Sequence, residues 1–341
     1  MKRTNILSGI LLAAVIATPP AYVSADEINV YSARKTQLIK PLLDKFTDQT
    51  GIEVNLITSK ADALLKRLKS EGTDSPADVL ITTDAGRLHR AKEAGVLKAE
   101  ISADALNRVP ANLQDKEGYW IGLTTRSRVI VYAKDAIDPK ELSTYEDLTD
   151  PKWENRICIR SSNNIYNQSL VASMISHLGE EATQNWANAF VKNFARKPQG
   201  GDRDQVKAVA AGKCDLAVVN TYYLGKMLNG KDESQKRAAQ RVDVFWPNQN
   251  DRGAHINVSG IGITKSSKNT ASANKLINFM LSEESQAWYA ETNSEYPVLE
   301  GVPVSETLKS WGKFKSDSLN LSKLGELNAK AVKIMDRAGW R

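Results

Sequence analysis

The sequence predicts an α/β protein built as two lobes. Strand-like and helix-like runs alternate along it, no Pro/Gly/Ser-rich linker interrupts them, and tyrosines recur where strands end. "INVYSA" (28–33) reads as a first strand. The helical "KTQLIKPLLDKFTDQTG" follows, with Leu38, Leu42 and Phe46 on one stripe and Gly51 as its stop. "IEVNLIT", the amphipathic "ADALLKRLKSEG" with Leu64, Leu65 and Leu68, the strand "ADVLITT" and the helix "AGRLHRAKEAG" continue the alternation. Asp84, at the end of the third strand, is placed to cap that helix. The expectation is a mostly parallel sheet.

A second α/β unit begins after "YWIGLTTRSRVIVYAKDAI". The strand "RICIR" leads into the helix "NQSLVASMISHLG", and "TQNWANAFVKNFA" is a further helix. In "DRDQVKAVAAGKCDLAVVNTYY", Asp202 is read as a helix cap and Asp215 to Val219 as a strand. A late strand "NVSGIGITK" precedes one long helix, "TASANKLINFMLSEESQAWYAET". Two units without a flexible joint imply rigid lobes hinged by crossing strands, with ligands outside the carboxyl ends of the strands.

Positions 1–25 are a processing segment rather than part of the fold. Lys2 and Arg3, the apolar "ILSGILLAAVIA" and the small residues before "DE" read as a secretory signal peptide cleaved after Ala25. The mature protein is therefore expected to be exported and soluble. Hydrophobic residues at 41% and charged residues at 25% are ordinary globular values, which exclude a disordered chain. The formal charge is +6, two units of it from the leader, and both signs are interspersed. Nucleic acid is thus not an expected partner. In an exported chain, an even count of cysteines favours a Cys158–Cys214 disulfide. Closing that loop stabilises the fold by about 4 kcal/mol in the chain-entropy model.

"NTYYLGKM" sets Tyr222 and Tyr223 side by side after a strand, and Tyr166 follows "RICIR" at the mouth of a helix. Tyr31 ends the first strand, so several phenols gather at strand ends. Neutral phenols stack on organic ligands. Phenolates bind hard, highly charged cations such as Fe(III), which is acidic enough to displace a proton held near pKa 10. Spacing alone favours a third use, as caps on the core with wet hydroxyls. Signatures of an enzyme are missing: HExxH, GxSxG, P-loop and GxGxxG do not occur. His89 and His177 lie in amphipathic helices, and His255 precedes a strand from which it could approach the cleft.

Several stretches together resemble the periplasmic ferric-iron-binding proteins of ABC transporters: "NVYSARKTQLIKPLLDKFTDQTGIEVNLI", "SPADVLITTDAGRL", "GLTTRSRVIVYAKD", "SSNNIYNQSLVASMI", "GKCDLAVVNTYYLGKM" and "EYPVLEGV". The likeness spans nearly all of the mature chain, and the pairing of "IYNQSL" with "NTYY" is its most specific part. It implies a two-lobed periplasmic binding protein of type II: two mixed sheets with flanking helices, crossing hinge strands and a cleft between lobes. The lobes are expected at 26–125 with about 248–300, and at 126–247 with about 301–341. The resemblance makes Tyr166, Tyr222 and Tyr223 phenolate ligands of Fe(III). It also implies a monomer that serves a permease and its ATPase and is not an enzyme.

Where many relatives carry His-Tyr after "YS-x-R", this chain has Lys35-Thr36, neither of them a plausible ferric ligand. The resemblance then implies a synergistic anion such as carbonate, with Arg126 first among its contacts. Arg34 and Lys226 are weaker candidates; Arg34, Arg128 and Lys226 are expected to be mainly solvated or structural, and Tyr31 to be a packing residue. The alternative is a binding protein for an organic or oxyanion ligand, with the tyrosines as stacking platforms.

Overall fold

In a computed structural model, residues 26–341 are described; the leader read at 1–25 lies outside the described residues. The first unit alternates as expected: β1 (Glu27–Ser32), α1 (Lys40–Thr50), β2 (Glu53–Thr58), α2 (Ala61–Glu71), β3 (Val79–Thr83) and α3 (Ala85–Glu93). Leu42, Leu43 and Phe46 bury one stripe of α1, whose carbonyl end stops at left-handed Gly51. The three strands are parallel, in the order β2–β1–β3. β4 (Leu97–Lys98) and α4 (Ala103–Arg108) follow.

The hinge is built from two long, buried strands. β5 (Ile121–Ala133) is buried through twelve of its thirteen residues. β6 (Ile157–Cys158), α5 (Ile165–Leu178), α6 (Glu180–Phe190), α7 (Asp202–Ala210), β7 (Leu216–Asn220), α8 (Thr221–Leu228), α9 (Glu233–Gln240) and β8 (Val242–Phe245) form the second unit. β9 (Ile256–Thr264) then returns to the first and is buried at every position.

β5 belongs to both halves of the sheet. Its residues up to Ser127 pair with β9, and those from Arg128 onward pair with β7 and β8. The sheet therefore runs β2–β1–β3–β9–β5–β7–β6, and it is mixed: the crossing strands must go out and come back, so β5 and β9 are antiparallel. The expectation of a mostly parallel sheet is thus met only at its two ends. At Gly260 a Cβ would stand 2.6 Å from the Ile121 carbonyl oxygen, so only glycine lets the two hinge strands approach this closely.

Several boundaries depart from the sequence reading. The single long helix after β9 is two, α10 (Thr270–Met280) and α11 (Glu283–Asn293), because Ser282 leaves helical geometry and caps α11 through the Ser285 amide. Asp202 is the first residue of α7 rather than its cap, and Asp204 accepts from the Gly201 amide instead. The chain closes through β10 (Tyr296–Pro297), α12 (Glu306–Ser310), α13 (Ser322–Glu326) and α14 (Asn328–Arg337). α13 packs on both α3 and α5, so the C-terminal segment ties the two units together. Trp340 is wholly buried against Trp186, Phe190 and Phe194, and its indole donates to the Arg160 carbonyl at 2.9 Å.

The Cys158–Cys214 disulfide is present and spans 5.8 Å between Cα atoms. It ties β6 to the start of β7, the two strands from which the chain runs toward Tyr166 and Tyr222.

Candidate ligand site

Two helix N-termini carry the three tyrosines. Asn164 caps α5 through the Tyr166 amide, so Tyr166 stands in the first turn. β7 ends at Asn220, and α8 begins at once with Thr221, Tyr222 and Tyr223. That helix, unforeseen in the sequence reading, is the backbone bend that lets adjacent tyrosines share a direction. Their rings lie 4.3 Å apart at a tilt of 33°. The Tyr222 hydroxyl donates to the Tyr166 hydroxyl at 3.2 Å. All three line one cavity of about 320 Å³.

The cavity is electropositive. Arg34, Lys35, Arg203 and Lys226 line it, and Glu295 is the one carboxylate among the described lining residues. Burial, with Tyr166 and Tyr223 adding, pushes the Tyr222 phenol well up from its ordinary pKa against the pull of Arg126. Tyr223 is pushed up to about 12 by burial, then by Tyr166 and Asp202. Both are neutral phenols at pH 7. Burial also brings the Lys226 ammonium down to about 8, with Glu295 opposing.

Behind this surface lies an ion-pair network that local sequence does not announce. Glu295 is 3% exposed. One of its oxygens accepts from Arg126 at 3.2 Å; the other accepts from Arg34 and, at 2.7 Å, from the Thr124 hydroxyl. Burial alone would raise this carboxyl, but Arg34 and Arg126 outweigh it and hold it at about 2. The Ser259 hydroxyl takes a further bond from each arginine. Arg126 lies beneath the Tyr222 ring, 5.7 Å from its centroid, and its Nε and Nη1 have no partner among the described residues.

The remaining candidates separate cleanly. Arg34 and Arg128 are structural and buried rather than solvated, and Arg128 pairs with Asp202 and Asn220. Asp202 is completed by Arg160. Lys226 donates to the Asn293 side-chain oxygen at 3.3 Å. Beside it, Gly225 admits Ser294, which would stand 2.6 Å from any Cβ there. Tyr31 does not join the cluster. It is buried against Leu64, Leu68 and Leu80, and its hydroxyl donates to Glu71. His255 is buried and does not line the cavity. Lys35 stands at the rim, while the Thr36 hydroxyl meets Thr58 at 3.2 Å. Asp84 caps α3 as expected, and its carboxylate also accepts from Ser169 of α5 and Asn257 of β9.

Residues 74–318 match the family model of bacterial extracellular solute-binding proteins. The chain belongs to that family. Among curated relatives of this solute-binding protein, iron uptake protein A1 of Synechocystis is 50% identical, over 99% of this chain and 95% of its own. The major ferric iron-binding protein of Neisseria meningitidis is 28% identical over 99% of this chain and 100% of its own. Among solved structures, a Trichodesmium protein in complex with iron and citrate ligands superposes with a TM-score of 0.90 at 49% identity, covering 92% of this chain and 100% of its own. The ferric binding protein of Campylobacter jejuni gives 0.87 at 41%, covering 92% and 100%. The architecture is that of the two-lobed periplasmic binding proteins.

Proposed function

We propose that this protein captures Fe(III) in the periplasm and delivers it to an ABC-type importer, without catalysing a reaction. The observation that carries the reading is the convergence of Tyr166, Tyr222 and Tyr223 on one cavity, with two hydroxyl oxygens 3.2 Å apart. Around a small, hard six-coordinate cation, oxygens at about 2.0–2.1 Å stand about 2.9 Å from their cis neighbours. A small contraction would bring the pair to that spacing. Ferric ion displaces the phenolic protons, which burial otherwise holds tightly. Three phenolates neutralise Fe³⁺, and the surrounding cations then call for an anion such as carbonate. Arg126, with two unpartnered nitrogens beneath Tyr222, is its proposed contact.

The relatives' names, iron uptake and ferric iron-binding, support the same cargo. The proposed closing bodies are 26–125 with about 248–300, and 126–247 with about 301–341; the switch of β5 from β9 to β7 between Ser127 and Arg128 supports that division. The partners proposed are a permease and its ATPase, met by a monomer. The test is the visible spectrum of apo-protein titrated with ferric citrate, beside a Tyr222→Phe/Tyr223→Phe variant. A phenolate-to-iron band saturating near one iron per chain, and lost in the variant, is expected. No band from a folded wild-type protein would return the tyrosines to stacking an organic or oxyanion ligand.

A further inference from the structure

We infer that Glu295 is the site's internal anion: its carboxylate occupies the charge of Arg34 and Arg126 and thereby sets how strongly iron binding depends on an external anion. The inference rests on the ferric reading above. Its basis is the position of one buried carboxylate between Arg34, which lines the cavity, and Arg126, which lies under the Tyr222 ring. Glu295 sits where the chain turns from α11 into β10, through Ser294 in the left-handed region at φ 52°. Its oxygens accept from Arg34, Arg126 and Thr124, which hold the carboxylate against the two guanidinium groups.

Arg126 faces two ways. One nitrogen, Nη2, is spent on Glu295 and Ser259, while Nε and Nη1 have no partner among the described residues. A small dianion bound to those nitrogens would lie close to a carboxylate that stays ionised throughout the neutral range. Like charges at that distance in a partly dry cavity repel strongly. Glu295 therefore weakens the external anion while keeping the arginines compensated when none is bound. Among other buried carboxylates, Asp202 is already paired with Arg128 and Arg160, and Asp84 is held by Ser169 and Asn257 at the cap of α3.

The experiment strips bicarbonate from the buffer, supplies iron as ferric nitrilotriacetate, and titrates bicarbonate back while following the phenolate band. Wild type, Glu295→Gln and Glu295→Asp are compared. In Glu295→Gln the band is expected to persist and the half-saturating bicarbonate to fall by about tenfold, or about 1.4 kcal/mol. Glu295→Asp, which keeps the charge, should move far less. An unchanged bicarbonate dependence in Glu295→Gln overturns the inference. So does an equal shift in both variants. Loss of the band in a folded Glu295→Gln protein also overturns it, by making Glu295 a ligand. Should Glu295→Gln not fold, Arg34→Gln reads the same balance in the opposite sense: one cation fewer should raise the half-saturating bicarbonate, and no rise would sink the idea. A wild-type protein that shows no band at any bicarbonate concentration instead fails the ferric reading itself.

Discussion

The two walls of the cavity are built on opposite principles. The tyrosine wall, at the N-termini of α5 and α8, holds hydroxyls bonded mainly to one another, Tyr222 donating to Tyr166 at 3.2 Å. The second wall, where Arg34, Arg126 and Glu295 meet, is centred on charge: one carboxylate receives two guanidinium groups and a hydroxyl, all buried. The first wall costs little to rearrange. The second cannot lose a member without stranding a charge. On the ferric reading, metal ligation and most of the local stability fall to different residues within one small cavity.

The sharpest way to break that comparison is to cut each wall once and measure urea unfolding of the apo-protein. Tyr222→Phe/Tyr223→Phe removes a hydroxyl bond and should cost no more than about 1 kcal/mol. Glu295→Ala leaves two buried guanidinium groups uncompensated, a loss of about 3–5 kcal/mol. Equal losses, or a larger one for the tyrosine pair, would show that the walls do not divide the work in this way.

The disulfide tests whether the tyrosine wall depends on its footing. Cys158 precedes the loop to Tyr166, and Cys214 precedes the strand that delivers Tyr222 and Tyr223. Cys158→Ser/Cys214→Ser should lower stability by about 2–4 kcal/mol. On the ferric reading it should also weaken iron binding, since the ends of two strands would no longer be held together. Full retention of iron affinity in a destabilised variant would show that the strand ladder alone positions the phenols. The Glu295 network, anchored on β5, β9 and the segment before β10, should be untouched in either case.

The same division explains what could be read from the chain alone. The tyrosines were visible because "IYNQSL" and "NTYY" are local, and the alternation of short apolar strands with amphipathic helices located the strand ends that carry them. α8 itself was not visible: "TYYLGKML" pairs two strand-favouring aromatics with a glycine, and helix there is chosen by packing rather than propensity. Glu295 left no local trace at all. Its partners Arg34, Thr124 and Arg126 are 261, 171 and 169 residues away, so the network exists only once β1, β5 and the turn before β10 are side by side. Arg203, another lining residue, went unread because in "GDRDQ" it looks like an ordinary first-turn charge. Tyr31 was grouped with the other phenols by its place at a strand end but expected to pack, and it does, turning toward α2.

A smaller effect can be isolated because both walls are electrically quiet in mild acid. Tyr223 titrates up to about 12 and Glu295 down to about 2, so neither changes charge between pH 5 and 7. His255 does so only on unfolding. Buried between Tyr145 and the hinge, it is brought down to about 3 by burial, with Arg128, Arg252 and His177 adding and Asp317 opposing. The unfolded chain takes up a proton near pH 6.5 that the folded protein refuses. His255 thus contributes stability in full above that pH, and the contribution is lost as pH falls toward about 3. The slope it adds is about 1.4 kcal/mol per pH unit across that window, and His255→Gln should remove it. The measurement is urea unfolding of both proteins at pH 7, 6 and 5, read as a difference so that Asp84 and the other buried carboxylates cancel. Two parallel curves would show that His255 takes up its proton in the folded protein as well, with Asp317 as the acceptor able to hold it.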